Sequence, residues 1–100
     1  MSDKYTDLPY SQFAALCEQP GCVLLDVRTQ SEFLDFHFEN AINIDLKGVD
    51  FLDEITDLDP EKQYFVYCSK GIRSVNACLA MRQLGFRHLY NLKGGIEAKP

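Results

Sequence analysis

Apolar stretches without charge alternate along the chain with amphipathic stretches, a pattern that predicts strands and helices in turn. Residues 64–67 are aromatic or β-branched and residues 22–27 contain Val and Leu in succession, so both segments predict strands that are buried on both faces. Shorter strands are expected over residues 5–8, 41–44 and 88–92.

Residues 74–84 predict a largely buried helix, because apolar side chains leave only a narrow polar edge. Gly85 follows and can adopt the left-handed conformation that closes a helix. Further helices are expected after Pro9, over a short segment capped by Ser31, and along residues 47–58.

The alternation of these elements favours an α/β fold with a central, mostly parallel five-stranded sheet and helices on both faces. One hundred residues can bury one core, and we expect residues 1–100 to form a single domain. In parallel sheets, ligands bind beyond the carboxyl ends of the strands. Cys68 lies at such a position.

A short basic loop follows Cys68 and leads into the long predicted helix. It consists of Ser69, Lys70, Gly71, Ile72 and Arg73. Gly71 can take the positive φ that a tight turn requires, and the loop amides are expected to converge on the sulfur as in an anion site. A helix N-terminus and neighbouring cations favour ionisation of a thiol, so we expect Cys68 to be largely thiolate at neutral pH.

Residues 68–74 (CSKGIRS) resemble the active-site loop of the rhodanese-like sulfurtransferases, which reads Cys, two residues, Gly, one residue, Arg, Ser. Residues 23–33 resemble the family's strand with Asp-x-Arg. Residues 36–43 resemble its Gly-His segment and residues 91–96 its closing Gly-Gly element. Four motifs in the family's order make the chain similar to this family over most of its length.

The resemblance implies a sulfurtransferase that moves a sulfane sulfur from thiosulfate or a similar donor to a thiophilic acceptor, through a persulfide on Cys68. Residues 69–74 would bind the donor anion, with Lys70 and Arg73 attracting its sulfonate. Ser74 is expected either to cap the helix or to hydrogen bond within the loop. The expected partners are a small sulfur-containing anion and a thiol or acceptor protein, without metal or organic cofactor.

Four upstream residues are expected to support this loop. Arg28 and Glu32, four residues apart, predict a salt bridge that the resemblance places beside the active loop. Asp26 lies in a buried strand and needs water, a backbone donor or a cation as its partner. His37 is expected to be a packed or hydrogen-bonded scaffold residue, with a general-base role as the alternative.

Two positions depart from the family's usual pattern. Phe36 stands where Gly usually precedes the family's His, so the backbone path and the rim near the loop are expected to differ. Asn40 replaces a Gly and is expected to occupy a left-handed position.

Composition narrows the possible partners and location. With 46% hydrophobic and 25% charged residues the chain resembles an ordinary globular protein, and its net charge of −5 argues against a nucleic acid partner. No stretch approaches the roughly 18 apolar residues that span a bilayer, and the first residues lack a secretory pattern. We therefore expect a cytoplasmic protein without a membrane partner.

The other three cysteines predict no metal site and no disulfide framework. Cys17, Cys22 and Cys78 form no Cys-x-x-Cys pair and lack His partners at metal spacing. Disulfides are also unexpected in a reducing compartment. Cys17 is most simply a core residue of the first helix.

Two alternatives to sulfur transfer with turnover stay open. The first is a module that carries or senses a persulfide without turnover. The second is a cysteine phosphatase or arsenate reductase, whose loop is longer than the four residues between Cys68 and Arg73. Sulfur transfer requires amides that converge on Cys68 and a thiol that solvent can reach.

Overall fold

The computed structural model describes residues 4–100 and contains one five-stranded sheet flanked by helices. The strands are β1 (Thr6–Leu8), β2 (Cys22–Asp26), β3 (Ile42–Asn43), β4 (Gln63–Tyr67) and β5 (His88–Leu92). The helices are α1 (Tyr10–Leu16), α2 (Gln30–Asp35), α3 (Phe51–Thr56) and α4 (Ile72–Gln83), followed by a short 3₁₀ helix, Ile96–Ala98.

The strands lie in the order β1-β5-β4-β2-β3, and every neighbouring pair is parallel. This confirms the predicted five-stranded parallel sheet. β4 is central, between β2 and β5, and its uncharged sequence suits a strand that is covered on both faces.

Alternate side chains of β4 enter two different apolar clusters, which places helices on both faces of the sheet. Tyr64 and Val66 join the cluster that contains Ile55 of α3 and Met81 of α4. Phe65 joins a second cluster built around α1. Since successive strand residues point to opposite faces, α3 and α4 cover one face and α1 the other.

Helix boundaries differ in detail from the predicted ones. Helix α4 begins at Ile72, two residues earlier than predicted. Helix α3 covers only six residues, and Leu52, expected on its apolar face, is 59% exposed. Ser31 does not cap α2: the N-cap is Thr29, which forms a capping box with Glu32. That Thr-x-x-Glu signal is present in the sequence and takes precedence because it satisfies two backbone donors reciprocally.

Backbone conformation agrees with three predictions on individual residues. Gly71 and Gly85 have φ of +95° and +99°, and Asn40 has φ of +69°, as expected for positions where Gly or Asn is favoured. Phe36 has φ of −163°, an extended conformation that any residue adopts, so no glycine is required there. Across residues 4–100, none of the helices has the length and apolar character needed to cross a bilayer.

Candidate active site

Cys68 directly follows β4, and its sulfur lies beneath the turn that leads into α4. The amide of Gly71 donates a hydrogen bond to Sγ at 3.1 Å, and the amide of Ser74 donates another at 3.3 Å. The Ser74 hydroxyl lies 3.3 Å from the same sulfur. The sulfur thus lies against two backbone donors and one hydroxyl, a set of polar groups that suits a bound anion.

Fewer loop amides face the sulfur than the sequence predicts. Among residues 69–73, the hydrogen bond to Sγ comes from Gly71, and the second amide belongs to Ser74 within α4. Ser74 is therefore not the helix cap. Gly71 is the N-cap residue, and its positive φ turns the chain so that its own amide and the amide of Ser74 point at the sulfur.

The closing Gly-Gly element packs directly under the loop. A Cβ on Gly95 would lie 2.3 Å from the Ser69 carbonyl oxygen, closer than real Cβ contacts. The Ile96 amide donates to the Cys68 carbonyl at 2.8 Å, and the Glu97 amide donates to the Ser69 carbonyl at 3.1 Å. From the sequence we matched this Gly-Gly element to the family but did not assign it to the site, although two adjacent glycines indicate close backbone approach.

A polar clasp of Glu32, Arg73 and Ser69 ties α2 to the loop. Arg73 donates two hydrogen bonds to the Glu32 carboxylate, at 2.7 and 3.0 Å, and Ser69 Oγ donates a third at 3.1 Å. The Arg73 guanidinium holds the pKa of Glu32 well below its usual range, because a cation favours the ionised carboxylate.

The predicted salt bridge between Arg28 and Glu32 is wrong. Arg28 instead pairs with Asp26, with Nη2 2.8 Å from Oδ2, and the Arg28 amide donates to Asp26 Oδ1 at 2.9 Å. Spacing of four residues favours a pair only along a continuous helix. Arg28 precedes the α2 cap at Thr29, so it turns back into the fold.

The pair of Asp26 and Arg28 is buried, with exposures of 0% and 5%. Asp26 has both a backbone donor and a cation as partners, which meets the requirement that a buried carboxylate is paired. The guanidinium also lies over the Tyr67 ring, 5.7 Å from its centroid. This pair therefore packs against Tyr67, the last residue of β4.

His37 is exposed and hydrogen bonded, which fits the scaffold interpretation. Its Nδ1 lies 2.7 Å from the Phe33 carbonyl oxygen, and its ring stacks on Phe33 at 3.7 Å between centroids. Phe36 is half exposed, and Lys99 Nζ lies 5.5 Å from the centre of its ring. The side chain of Phe36 thus lies beside Lys99 and the Phe38 ring, partly open to solvent.

The loop presents less positive charge to solvent than the sequence suggests. Arg73 is engaged with Glu32, so its charge is balanced locally. Lys70 is exposed, and Ile72 is 71% exposed. Lys70 is therefore the loop cation that faces solvent.

Cys68 is covered in this conformation, with 1% of its surface exposed. The requirement for converging amides is met by Gly71 and Ser74, whereas the requirement for a solvent-reachable thiol is not. A donor could reach the sulfur only if the loop moved outward. Lys70 and Ile72, on the outside of that loop, are both exposed.

The other cysteines have surroundings that disfavour ionisation. Burial raises the pKa of Cys17 and of Cys22, and burial followed by the charges of Asp7 and Cys68 raises the pKa of Cys78 to about 12. All four thiols are free. Within the described residues, no three His, Cys, Asp or Glu side chains are grouped so that they could hold a metal ion.

Comparisons with known proteins found a family model, curated relatives and solved structures that are similar to this chain. The model of the rhodanese-like domain matches residues 10–98. The chain is similar to a tRNA uridine(34) hydroxylase from Cytophaga hutchinsonii, with 35% identity over 89 residues that cover 86% of this chain and 28% of that protein. A protein of the same name from Cronobacter sakazakii is 32% identical over 103 residues, covering 95% and 28%.

A solved structure is similar over nearly its whole length. The crystal structure of a rhodanese-related protein from Thermoplasma volcanium has a TM-score of 0.80 at 26% identity, covering 94% of this chain and 89% of that one. By contrast, the present chain spans about 28% of the length of the two curated relatives.

Proposed function

Because the chain belongs to the rhodanese-like domain family, we propose that it is an enzyme that transfers sulfur through a persulfide on Cys68. The observation that carries this proposal is the set of two amide donors and one hydroxyl around one sulfur, and a thiolate at this sulfur would make the hydroxyl a third donor. Gly71 N, Ser74 N and Ser74 Oγ all lie within 3.3 Å of Cys68 Sγ. A preorganised ring of this kind stabilises an anion at a fixed point.

In the first half-reaction, the Cys68 thiolate attacks the outer sulfur of thiosulfate or a similar donor. A new S–S bond forms on Cys68, the S–S bond of the donor breaks, and its electron pair leaves with sulfite. The terminal sulfur of the persulfide is then the anion. The donors from Gly71 and Ser74 stabilise the thiolate beforehand, and a small outward shift would bring them to the added atom.

In the second half-reaction, a thiophilic acceptor attacks the terminal sulfur and restores the Cys68 thiolate. The acceptor is cyanide in an assay and a thiol or acceptor protein in a cell. Two steps through a covalent enzyme intermediate give ping-pong kinetics. Lys70, exposed beside the loop, would attract an anionic donor.

Phosphatase or arsenate reductase chemistry is less well supported. A phosphate cradle needs an arginine that points at the bound oxyanion, whereas both terminal nitrogens of Arg73 bond to Glu32. The four residues between Cys68 and Arg73 also make the loop shorter than a phosphatase loop, which favours a smaller ligand than a tetrahedral anion.

The names of the curated relatives favour a second candidate, in which this domain serves the modification of a tRNA uridine. This second candidate conflicts with our expectation from the sequence that the protein has no nucleic acid partner. The net charge of −5 disfavours direct contact with phosphates. In this version an oxidant such as dioxygen would supply the oxygen atom, Cys68 would act as the nucleophile, and a basic surface of a partner would bind the RNA.

Incubation with thiosulfate and then cyanide separates the candidates. Repeated formation of thiocyanate supports the sulfurtransferase, and one equivalent per protein supports the persulfide carrier. No thiocyanate and no gain of about 32 Da, the mass of one sulfur, would overturn both. Uridine oxidation in added tRNA, abolished by Cys68→Ala, would instead support the second candidate.

A further inference from the structure

A groove on the α1 face of the sheet lies apart from the loop of residues 68–74. It has a volume of about 490 Å³ and runs between α1, the start of β2 and residues 38–40. This volume falls in the range of about 300–1,000 Å³ that is typical of binding sites. The chemistry proposed for Cys68 makes no use of this groove.

Aromatic rings form the apolar wall of the groove. Tyr10 and Phe38 lie 6.1 Å apart between ring centroids, and buried Phe13 and Leu24 also line it. Tyr10 and Phe38 are each partly exposed. The wall therefore offers apolar surface to a side chain that enters from solvent.

All of the charge along the groove is negative. Glu18 and Glu39 are the charged residues among its lining, and both are exposed. Burial, followed by the charge of Glu18, raises the pKa of the Cys17 thiol, so the field of that carboxylate extends into the groove. Aromatic faces beside carboxylates attract cations, by ring quadrupole as well as by charge.

We propose that this groove docks a basic segment of a partner protein. An arginine or lysine of the segment pairs with Glu18 or Glu39, and an apolar neighbour packs against Tyr10 and Phe38. A second copy of this chain is disfavoured because it presents the same carboxylates and a net charge of −5. A nucleic acid is disfavoured for the same reason.

The groove also borders the strand that leads to Cys68. The Phe38 ring lies 4.6 Å from the Tyr67 ring, and the Phe38 amide donates to the Tyr67 hydroxyl at 3.1 Å. A segment bound against Phe38 therefore lies next to the residue that precedes Cys68. Docking itself does not depend on the proposed sulfur chemistry.

Fluorescence anisotropy with two labelled peptides tests the proposal. The peptides are Arg-Leu-Arg-Leu-Arg and its acidic counterpart Glu-Leu-Glu-Leu-Glu, each titrated with the full chain. We expect the basic peptide alone to bind saturably. The double substitution Glu18→Lys with Glu39→Lys should weaken it at least about tenfold, which corresponds to about 1.4 kcal/mol.

The matched control is Glu54→Lys with Asp57→Lys, which changes the net charge equally at exposed positions of α3 and its C-cap, on the face of the sheet opposite the groove. It should change affinity less than about twofold, since exposed charges beyond about 10 Å are screened. Equal weakening by the two double variants, or absence of saturable binding, would overturn the proposal.

Alkylation provides a second readout. Cys17 and Cys22 line the groove and are partly exposed, so the bound basic peptide should slow their reaction with iodoacetamide. Binding without this protection would place the peptide elsewhere and overturn the proposal. Self-association of the wild-type chain that the groove variant abolishes would also overturn it, in favour of a second copy as the occupant.

Discussion

Cys68 and Cys78 are exposed to almost the same extent, 1% and 0%, yet they differ in the atoms that face each sulfur. Cys68 receives hydrogen bonds from the amides of Gly71 and Ser74. Cys78 lies one helical turn beyond Ser74, in the apolar cluster between α4 and the sheet, where its pKa rises to about 12 mainly because of burial. Burial alone therefore does not distinguish the two cysteines, whereas the donors around each sulfur do, and they favour Cys68 as the proposed nucleophile.

Exchange of each cysteine for alanine is the sharpest test of this comparison. Cys68→Ala should reduce sulfur loading from thiosulfate to background, because the attacking atom is missing. Cys78→Ala should load sulfur normally. Intact mass with peptide mapping measures both, and loss of loading in Cys78→Ala with retention in Cys68→Ala would reverse the assignment.

Removal of one donor should have the next largest effect. Ser74→Ala deletes the hydroxyl 3.3 Å from Cys68 Sγ and keeps the backbone amide. A hydrogen bond to a charged group contributes about 1.5–3 kcal/mol, so persulfide formation in a single turnover should slow by roughly ten- to a hundredfold. Ser31→Ala, at an exposed serine that does not cap α2, is the control. Equal rates in the two variants would show that the hydroxyl plays no part.

Weakening the clasp should change how readily reagents reach the Cys68 sulfur, with a smaller effect than removal of a donor. Glu32→Gln weakens the charged contact with Arg73, so the loop should open more often and Cys68 should react faster with iodoacetamide. A partly exposed pair contributes up to about 1 kcal/mol, or about a fivefold change in the open population. Glu54→Gln, on an exposed face of α3, should leave the alkylation rate unchanged. An unchanged or slower rate in Glu32→Gln would argue against opening through this loop.

The effect of Glu32→Gln on the free energy of unfolding should depend on pH. The pKa of Glu32 is lower in the folded state than its usual value of 4.5, chiefly through Arg73. Its stabilisation is therefore fully present above pH 4.5 and is lost as pH falls below that value. Urea unfolding should show wild type and Glu32→Gln converging in acid. A constant difference across this range would contradict the assignment.

The smallest effect concerns Cys78. Cys78→Ala should lower the free energy of unfolding by about 1 kcal/mol at pH 7, because it leaves a small cavity. Folding raises the pKa of the Cys78 thiol from 9.0 to about 12, chiefly because the thiol is buried. The stabilisation from the thiol is thus present below pH 9 and is lost as pH rises toward 12. The difference in the free energy of unfolding between wild type and Cys78→Ala should therefore narrow over this range. A gap that widens would contradict the raised pKa.

Local features of the site could be predicted from the chain because they depend on neighbouring residues. The strand before Cys68, the left-handed glycine at position 71 and the helix that follows all lie within one segment, and the structure contains each of them. The capping box from Thr29 to Glu32 was equally local. Ser31, two residues later, offers a competing cap in the sequence, and the capping box takes precedence because it pairs two backbone donors.

Contacts between distant segments could not be predicted in the same way. Glu32 and Arg73 are 41 residues apart, and Gly95 lies under Ser69 although 26 residues separate them. The covered state of Cys68 follows from the same packing. Each depends on where α2, the loop and the closing turn meet in space.

By itself, the order of apolar and polar residues determined an alternating α/β chain with a cysteine at the end of a buried strand and a glycine-containing turn after it. These properties follow from backbone preferences and from burial, which act over a few residues. Only the tertiary structure decided the strand order, the partner of each charge and which donors reach the sulfur. Those features depend on distances between segments that the parallel sheet brings together.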